Sequence, residues 1–167
     1  LIPNGITPDD FTEYGGLYHT LNPDFYEIAL NTTLKNLNLE TLDLHYIHIP
    51  EISRLNLPDN KFYSKMENLF TWYEKQISQN KIRNYGIALE FVVSESSNLK
   101  WHFELEKLKK IADLVSDGNS HFKYVLFEYN ILCPYAQTIK TQHINNIAVS
   151  LASACHSLGL ETVASMP

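Results

Sequence analysis

Cysteine is scarce in this sequence, since Cys133 and Cys155 are the only two among 167 residues. Two cysteines cannot build the disulfide framework that stabilises small secreted domains. Cys155 also falls on an apolar pattern of helical period, which indicates a buried thiol. We therefore expect a reduced protein and predict a cytoplasmic location.

Long apolar runs and an excess of positive charge are also absent. No apolar stretch approaches the roughly 18 residues of a membrane-spanning helix, and the first residues do not resemble a signal peptide. Lysine and arginine total 13 against 19 aspartates and glutamates, which gives a net charge of −6. A nucleic-acid-binding face needs clustered basic residues. We expect no membrane and no nucleic acid as partner.

The motifs of several enzyme classes are missing as well. The seven histidines include no H-x-x-x-H pair and no Cys/His cluster, so we predict no metal site. No G-x-S-x-G turn supports a hydrolase triad. The open dinucleotide-binding sheet has a Gly-rich turn after its first strand. No G-x-G-x-x-G occurs here, and Gly15-Gly16 has no predicted strand before it.

The sequence does contain an alternation of helix and strand patterns. Asn22 before Pro23 and Asp24 is a typical helix start, so we predict a helix over residues 22–38. "PEISRLNLPDN" is polar and rich in proline, which indicates a loop. Apolar residues at helical spacing predict three more helices, over residues 62–77, 105–115 and 144–158. Alternating or buried apolar runs predict strands at Leu42–His48, Ile82–Leu89, "FKYVLFEYN" and "ETVASM".

The spacing of the four strands predicts the fold class. Their centres recur at intervals of roughly 40 residues, and each pair is separated by a helix, which is the pattern of right-handed βα units in a parallel sheet. Two α/β architectures fit: an open doubly wound sheet, or part of an eight-stranded barrel. Closing a whole barrel takes about 250 residues, so four units make about half of one. Because the chain begins with Leu1 rather than Met, we expect a fragment or a processed form.

Four stretches, in order and at the expected spacing, resemble the aldo-keto reductase family: "TLKNLNLETLDLHYIHIPE", "YEKQISQNKIRNYGIA", "FEYNIL" and "LASACHSLGLETVASMP". In the first, a helix with a Leu-rich end leads into an Asp-containing strand that finishes on a histidine before a proline. The resemblance implies a (β/α)8 TIM barrel, of which residues 1–167 form a single partial domain that supplies about half, as barrel strands four to seven.

The resemblance also implies a reaction, the NADPH-dependent reduction of an aldehyde or ketone to an alcohol. His48 would be the active-site histidine that orients and polarises the carbonyl of a small-molecule substrate. A tyrosine would donate the proton, its pKa lowered by a lysine paired with an aspartate. In the family these three residues lie on earlier strands, so we expect the 167 residues alone to lack most of the catalytic set. Tyr14 and Tyr18 stand on a different segment and are not expected to replace that tyrosine.

Strand alternation separates His48 from its neighbour His45. Side chains at even positions from Leu42 to His48 share one face, and His45 lies on the other. The active site of a βα barrel is built at the C-terminal strand ends, where His48 is placed. A barrel histidine satisfied by backbone groups is the structural alternative for His48. For His45 we expect a structural role.

The positions matched to the nicotinamide contacts of the family carry altered residues. Ala88-Leu89 stand where the family has Ser-Asn, Leu126 stands in place of a glutamine, and Ser165 in place of an aromatic residue. A lost partner of the carboxamide costs on the order of 1–3 kcal/mol if the amide stays buried. Two functions therefore stay open: an NADPH-dependent carbonyl reductase, or a catalytically inactive relative that serves as a binding or scaffold protein.

Overall fold

A computed structural model describes residues 6–91, 93 and 99–166. A central sheet of four parallel strands has the order β3-β4-β5-β8, and two short antiparallel hairpins, β1-β2 and β6-β7, lie outside it. The strands are β1 (Thr12–Tyr14), β2 (Leu17–His19), β3 (Leu42–His48), β4 (Ile82–Leu89), β5 (Phe122–Glu128), β6 (Gln142–Ile144), β7 (Ile147–Val149) and β8 (Glu161–Ser165).

Helices separate the sheet strands along the chain. A short 3₁₀ turn, Pro8–Asp10, precedes the first hairpin. The α-helices are α1 (Pro23–Leu37), α2 (Pro50–Asn56), α3 (Asp59–Ser78), α4 (Leu105–Val115), α5 (Tyr135–Thr138) and α6 (Leu151–Ser157). The predicted parallel α/β architecture is confirmed, and within the described residues β3 and β8 form the two open edges of the sheet.

The first helix begins and ends as its sequence predicts. The Asn22 side chain accepts a hydrogen bond from the Asp24 backbone N–H at 3.0 Å, and Pro23 occupies the first turn. Asn38 then adopts the left-handed conformation, with φ of 53°. This conformation is a common helix ending because the chain can turn back and satisfy the last carbonyl groups. The left-handed residue therefore ends α1 and turns the chain toward the start of β3.

The core lies between one face of the sheet and the helices. It is rich in aromatic rings: Tyr73 stacks on Tyr85 with centroids 4.6 Å apart, and Phe70 stacks on Phe122 at 5.1 Å. All four side chains are fully buried. Burying each side chain contributes about 1.5–3 kcal/mol, so this aromatic layer fixes α3 against β4 and β5.

One predicted loop contains a helix. We expected "PEISRLNLPDN" to be a loop, but its first seven residues form α2. Pro50 reads as a breaker, yet proline fits the first turn of a helix, where its missing N–H has no intrahelical acceptor. Glu51, Ile52 and Ser53 are buried in this turn. The polar residues that suggested a loop are therefore held inside the protein.

The predicted fourth helix is half wrong. The apolar residues Ile144 and Ile147, which we assigned to it, lie on the β6-β7 hairpin. Asn145 and Asn146 both have positive φ, 50° and 65°, as the tight turn of a two-residue hairpin requires. Helix α6 starts only at Leu151, after the Ser150 side chain accepts the N-cap hydrogen bond. The spacing of apolar residues across the turn imitated a helical period.

The Gly15-Gly16 pair also differs from the prediction. A strand, β1, does precede it, and the two glycines form the turn to β2 with φ of 59° and 84°. The following strand is antiparallel and no helix begins at the pair. The feature is a hairpin turn between antiparallel strands, which differs from the Gly-rich strand-to-helix turn of a dinucleotide-binding sheet.

Candidate functional site

The candidate site lies where the parallel strands end. His48 is the last residue of β3, and the strand register places it opposite Ala88, Ala88 opposite Leu126, and Leu126 opposite Val163. These four residues form one row across the sheet on the face opposite the aromatic core. The His48 side chain is exposed, and it makes no hydrogen bond to any described residue. It is therefore available to a ligand, unlike the satisfied barrel histidine of the structural alternative.

The four positions matched to cofactor contacts do not all share this face. Ala88 and Leu126 lie in the row of His48. Ser165 pairs with Glu128 and lies two residues beyond Val163, closer to the C-terminal ends of the strands. Leu89 points the other way and is 2% exposed in the core. Three of the four positions can thus contact a ligand beside His48, whereas Leu89 cannot.

His45 lies on the core face, as strand alternation predicts. Its Nδ1 is 2.7 Å from the hydroxyl oxygen of Tyr73, which is fully buried. Burial lowers the pKa of His45, so its neutral form is favoured. The contact ties β3 to α3, which is a structural role.

The backbone turns sharply after His48. Ile49 has φ of 53° and ψ of 56°, in the left-handed region, although it is β-branched. Such a conformation costs on the order of 1–3 kcal/mol, and it persists where the surroundings determine it. Here the Ile49 N–H donates to the Ala88 carbonyl at 2.8 Å, and the side chain is buried. The end of β3 and the first turn of α2 are therefore fixed relative to β4.

A buried carboxylate fixes the exit of the next strand. Glu51 is fully buried, and its Oε1 accepts hydrogen bonds from the backbone N–H groups of Glu90 at 2.9 Å and Phe91 at 3.1 Å. Both amides directly follow β4. Two hydrogen bonds to one side-chain oxygen hold both amides in place. Glu51 thus couples α2 to the strand end that carries Ala88.

A cavity of about 260 Å³ opens beside His48 at the free edge of β3. None of its lining residues carries a carboxylate, an ammonium or a guanidinium group. The lining consists of aromatic, histidine and small side chains: Tyr18, His19, Thr20, Phe25, Tyr26, Ala29, His45, Tyr46 and His48. Such a wall suits an uncharged ligand with a polar atom, because a charged ligand would be left without an ionic partner.

Two residues of this cavity were not expected from the sequence. The segment that carries Tyr18 does not match the family tyrosine, and no pattern in the sequence points to His19. No local motif marks either residue, since they reach the site through the packing of the β1-β2 hairpin against α2. His19 Nδ1 is 2.7 Å from Ser53 Oγ on that helix. The link is 34 positions apart along the chain, so only the fold reveals it.

The imidazole of His19 is held in its neutral form. Burial lowers the pKa of His19 to about 4, the nearby His48 imidazole lowers it too, and the His48 backbone acts in the opposite direction. Its Nε2 is buried and has no hydrogen-bond partner among the residues that the structure describes. His19 and His48 therefore interact electrostatically, and a second positive charge in this cavity is unfavourable.

Two kinds of site are absent from the described residues. No group of three or more His, Cys, Asp or Glu side chains there is arranged to hold a metal ion. No helix within the described ranges has the length and apolar character needed to cross a membrane. The chemistry available beside His48 is hydrogen bonding by its imidazole and by the hydroxyl groups of the cavity wall, which can orient and polarise a carbonyl oxygen.

Comparison with solved structures places the fold among aldo-keto reductases. No family model and no curated protein matches the sequence. The thermostable aldo-keto reductase Tm1743, solved with epalrestat, is 20% identical with a TM-score of 0.55 over 86% of this chain. The glycerol dehydrogenase AKR11B4 from Gluconobacter oxydans is 16% identical with a TM-score of 0.54, and the aldose reductase from Schistosoma japonicum is 20% identical with a TM-score of 0.51. The match covers 89% and 86% of this chain, respectively.

This chain spans only part of those proteins: 39%, 34% and 41% of their lengths, in the same order. The predicted resemblance is confirmed at the level of the fold, which is that of part of an aldo-keto reductase barrel. The choice between an open doubly wound sheet and a partial barrel is thereby decided in favour of the barrel.

Proposed function

We propose that this chain is part of an NADPH-dependent oxidoreductase that reduces an aldehyde or ketone to an alcohol. The observation that carries the proposal is the position of His48, exposed at the C-terminal end of β3 in a fold shared with aldo-keto reductases. In βα barrels this end of the strands bears the active site. The proposal is stated for the complete protein, since the chain covers 39% of the length of a related structure.

His48 would bind the substrate carbonyl. A neutral imidazole can donate one hydrogen bond to the carbonyl oxygen without adding a full charge to the cavity. That bond draws electron density toward the oxygen and makes the carbonyl carbon a better acceptor of hydride. It also stabilises the negative charge that develops on the oxygen during transfer. The family resemblance implies that a tyrosine on an earlier strand donates the proton that completes the reaction.

The residues beside His48 fit the cofactor in part. Ala88, Leu126 and Val163 make an apolar wall on which a nicotinamide ring can pack, and Ser165 offers a hydroxyl beyond them. No amide side chain lies in the row to bind the carboxamide. NADPH, when bound, would supply the hydride. The role of the chain is then to hold the ring against this wall and the carbonyl against His48.

A catalytically inactive binding or scaffold protein is the second candidate. The observation that favours it is the same row, in which His48 is followed by the apolar side chains Ala88, Leu126 and Val163. Because Ala88, Leu126 and Val163 have no hydrogen-bonding side chains, the carboxamide loses partners that the resemblance implies. If this candidate is correct, the full-length protein binds no nicotinamide cofactor.

A titration of NADPH into the full-length protein, followed by quenching of tryptophan fluorescence, separates the two candidates. Saturable quenching supports the reductase, whereas no binding to a folded protein supports the scaffold. In a protein that reduces a generic aldehyde, His48→Ala should lower kcat by about 100-fold, because one hydrogen bond to the developing oxyanion is lost. The control is His156→Ala, which removes an exposed imidazole on α6. Unchanged turnover in His48→Ala would refute the role of His48.

A further inference from the structure

We propose that His19 is a positioning residue of the His48 site, which anchors the β1-β2 hairpin to α2 through Ser53 and shares one cavity wall with the His48 imidazole. This inference rests on the proposed function for its catalytic consequence. Its physical basis, the pairing of two imidazoles in one cavity wall, does not require turnover.

Two observations link His19 to the His48 site. Both histidines line the same cavity of about 260 Å³. The His19 Nδ1 is also 2.7 Å from Ser53 Oγ. Ser53 belongs to α2, the helix that begins two residues after His48. His19 therefore closes a ring of contacts around the left-handed turn at Ile49.

The charges around His19 are consistent with this role. The titratable groups that face it or share its cavity are Tyr18 on its own hairpin, Tyr26 on α1, and His45, Tyr46 and His48 on β3. From α2 it faces the Ser53 hydroxyl, and the Glu51 carboxylate of that helix is bound to the amides after β4. No carboxylate in the cavity wall is placed to stabilise two imidazolium ions.

For the reaction, the consequence is that the two imidazoles keep fixed positions in the cavity wall. A carbonyl substrate needs a hydrogen-bond donor that keeps its position while the hydride is transferred. Because His19 is half-buried and contacts Ser53, it holds the β1-β2 hairpin against α2. Besides burial, the His48 imidazole lowers the pKa of His19, because two like charges in one cavity repel.

The test is a histidine-ring NMR titration of the full-length protein without cofactor. We expect the wild-type His19 ring to titrate near pH 4. In His48→Gln the His19 midpoint should move upward, because the like charge is gone. His156→Gln, an exposed control on α6, should leave the midpoint unchanged. A His19 midpoint that ignores His48→Gln would overturn the proposal.

Kinetics add a second measurement where the protein reduces a carbonyl. Ser53→Ala should lower kcat by about tenfold, the effect of one lost hydrogen bond on positioning, with KM changed less than about twofold. His19→Asn, whose amide can still contact Ser53, should retain more activity than His19→Ala. Equal activity of both His19 variants with the wild type would contradict the positioning role.

The two measurements separate the inference from the proposed function. Coupled titration in a protein that reduces no carbonyl would support the imidazole pair and refute the reductase. Reductase activity together with an uncoupled His19 would refute the positioning role and leave His48 as proposed.

Discussion

Replacement of Gly86 by alanine would test the packing of the sheet beneath the candidate site. A Cβ built on Gly86 would lie 2.3 Å from the Tyr124 carbonyl oxygen and 2.9 Å from the Tyr124 Cβ. Ordinary carbon–oxygen contacts in sheets are about 3.3–3.6 Å, so β4 and β5 would have to separate by about 1 Å. The atoms in the way are backbone atoms of a paired strand, which cannot rotate aside.

The expected cost follows from that separation. Overpacking a well-filled site costs about 1–3 kcal/mol, and each ladder hydrogen bond that is stretched or lost adds about 1 kcal/mol. We therefore expect Gly86→Ala to lower the free energy of unfolding by about 3 kcal/mol or more. Urea denaturation of the full-length protein would measure this change.

The matched control is Asn84→Ala, on the same strand and the same face two residues earlier. The Asn84 amide is 3.5 Å from the Asp43 carbonyl oxygen, a long contact whose loss should cost less than about 1 kcal/mol. A Gly86→Ala protein that loses no more stability than this control would refute the reasoning. It would mean that the two strands separate at little cost.

Two further predictions concern pH and self-association. The folded pKa of His19 is about 4 and its ordinary value is 6.5, so the unfolded chain binds the proton first and stability should fall as pH drops from 6.5 to 4. The loss is up to about 3 kcal/mol, and His45 acts in the same direction. Thermal denaturation across this range should show a flatter profile for His19→Gln, and an equally steep one would contradict the assignment. The 167-residue chain alone should self-associate through the open edges of β3 and β8, whereas a monodisperse monomer on a sizing column would contradict that.

The main sheet could be predicted because its signals are local. β3 and β4 have the predicted bounds, Leu42–His48 and Ile82–Leu89. Each strand is a short apolar run bounded by turn residues, and the helix before it shows a clear period of 3.6. The N-cap at Asn22 was also predictable, because capping is decided within three residues. Local chemistry and tertiary packing agree at these places.

The hairpins and α2 were missed because their evidence is not local. The residues Ile144 and Ile147 have a spacing that fits a helix, and only the turn at Asn145-Asn146 distinguishes a hairpin. Tertiary contacts of Gln142 hold the first strand of this hairpin in place. Its buried amide accepts a hydrogen bond from the Leu105 N–H and donates one to the Phe103 carbonyl. An apolar period alone cannot report contacts between segments about 40 residues apart.

The candidate site likewise contains residues that local sequence signals predict and residues that only tertiary packing brings together. His48 could be proposed from a strand ending and a family resemblance, but the groups that surround it belong to the segments that sequence reasoning misread. Helix α2, predicted as a loop, supplies Glu51 to the exit of β4 and Ser53 to His19. Both contacts need α2 to be helical, because residues two positions apart in a helical turn, such as Glu51 and Ser53, point toward different neighbours. A proline after a strand-end histidine therefore starts the helix that builds the site around that histidine.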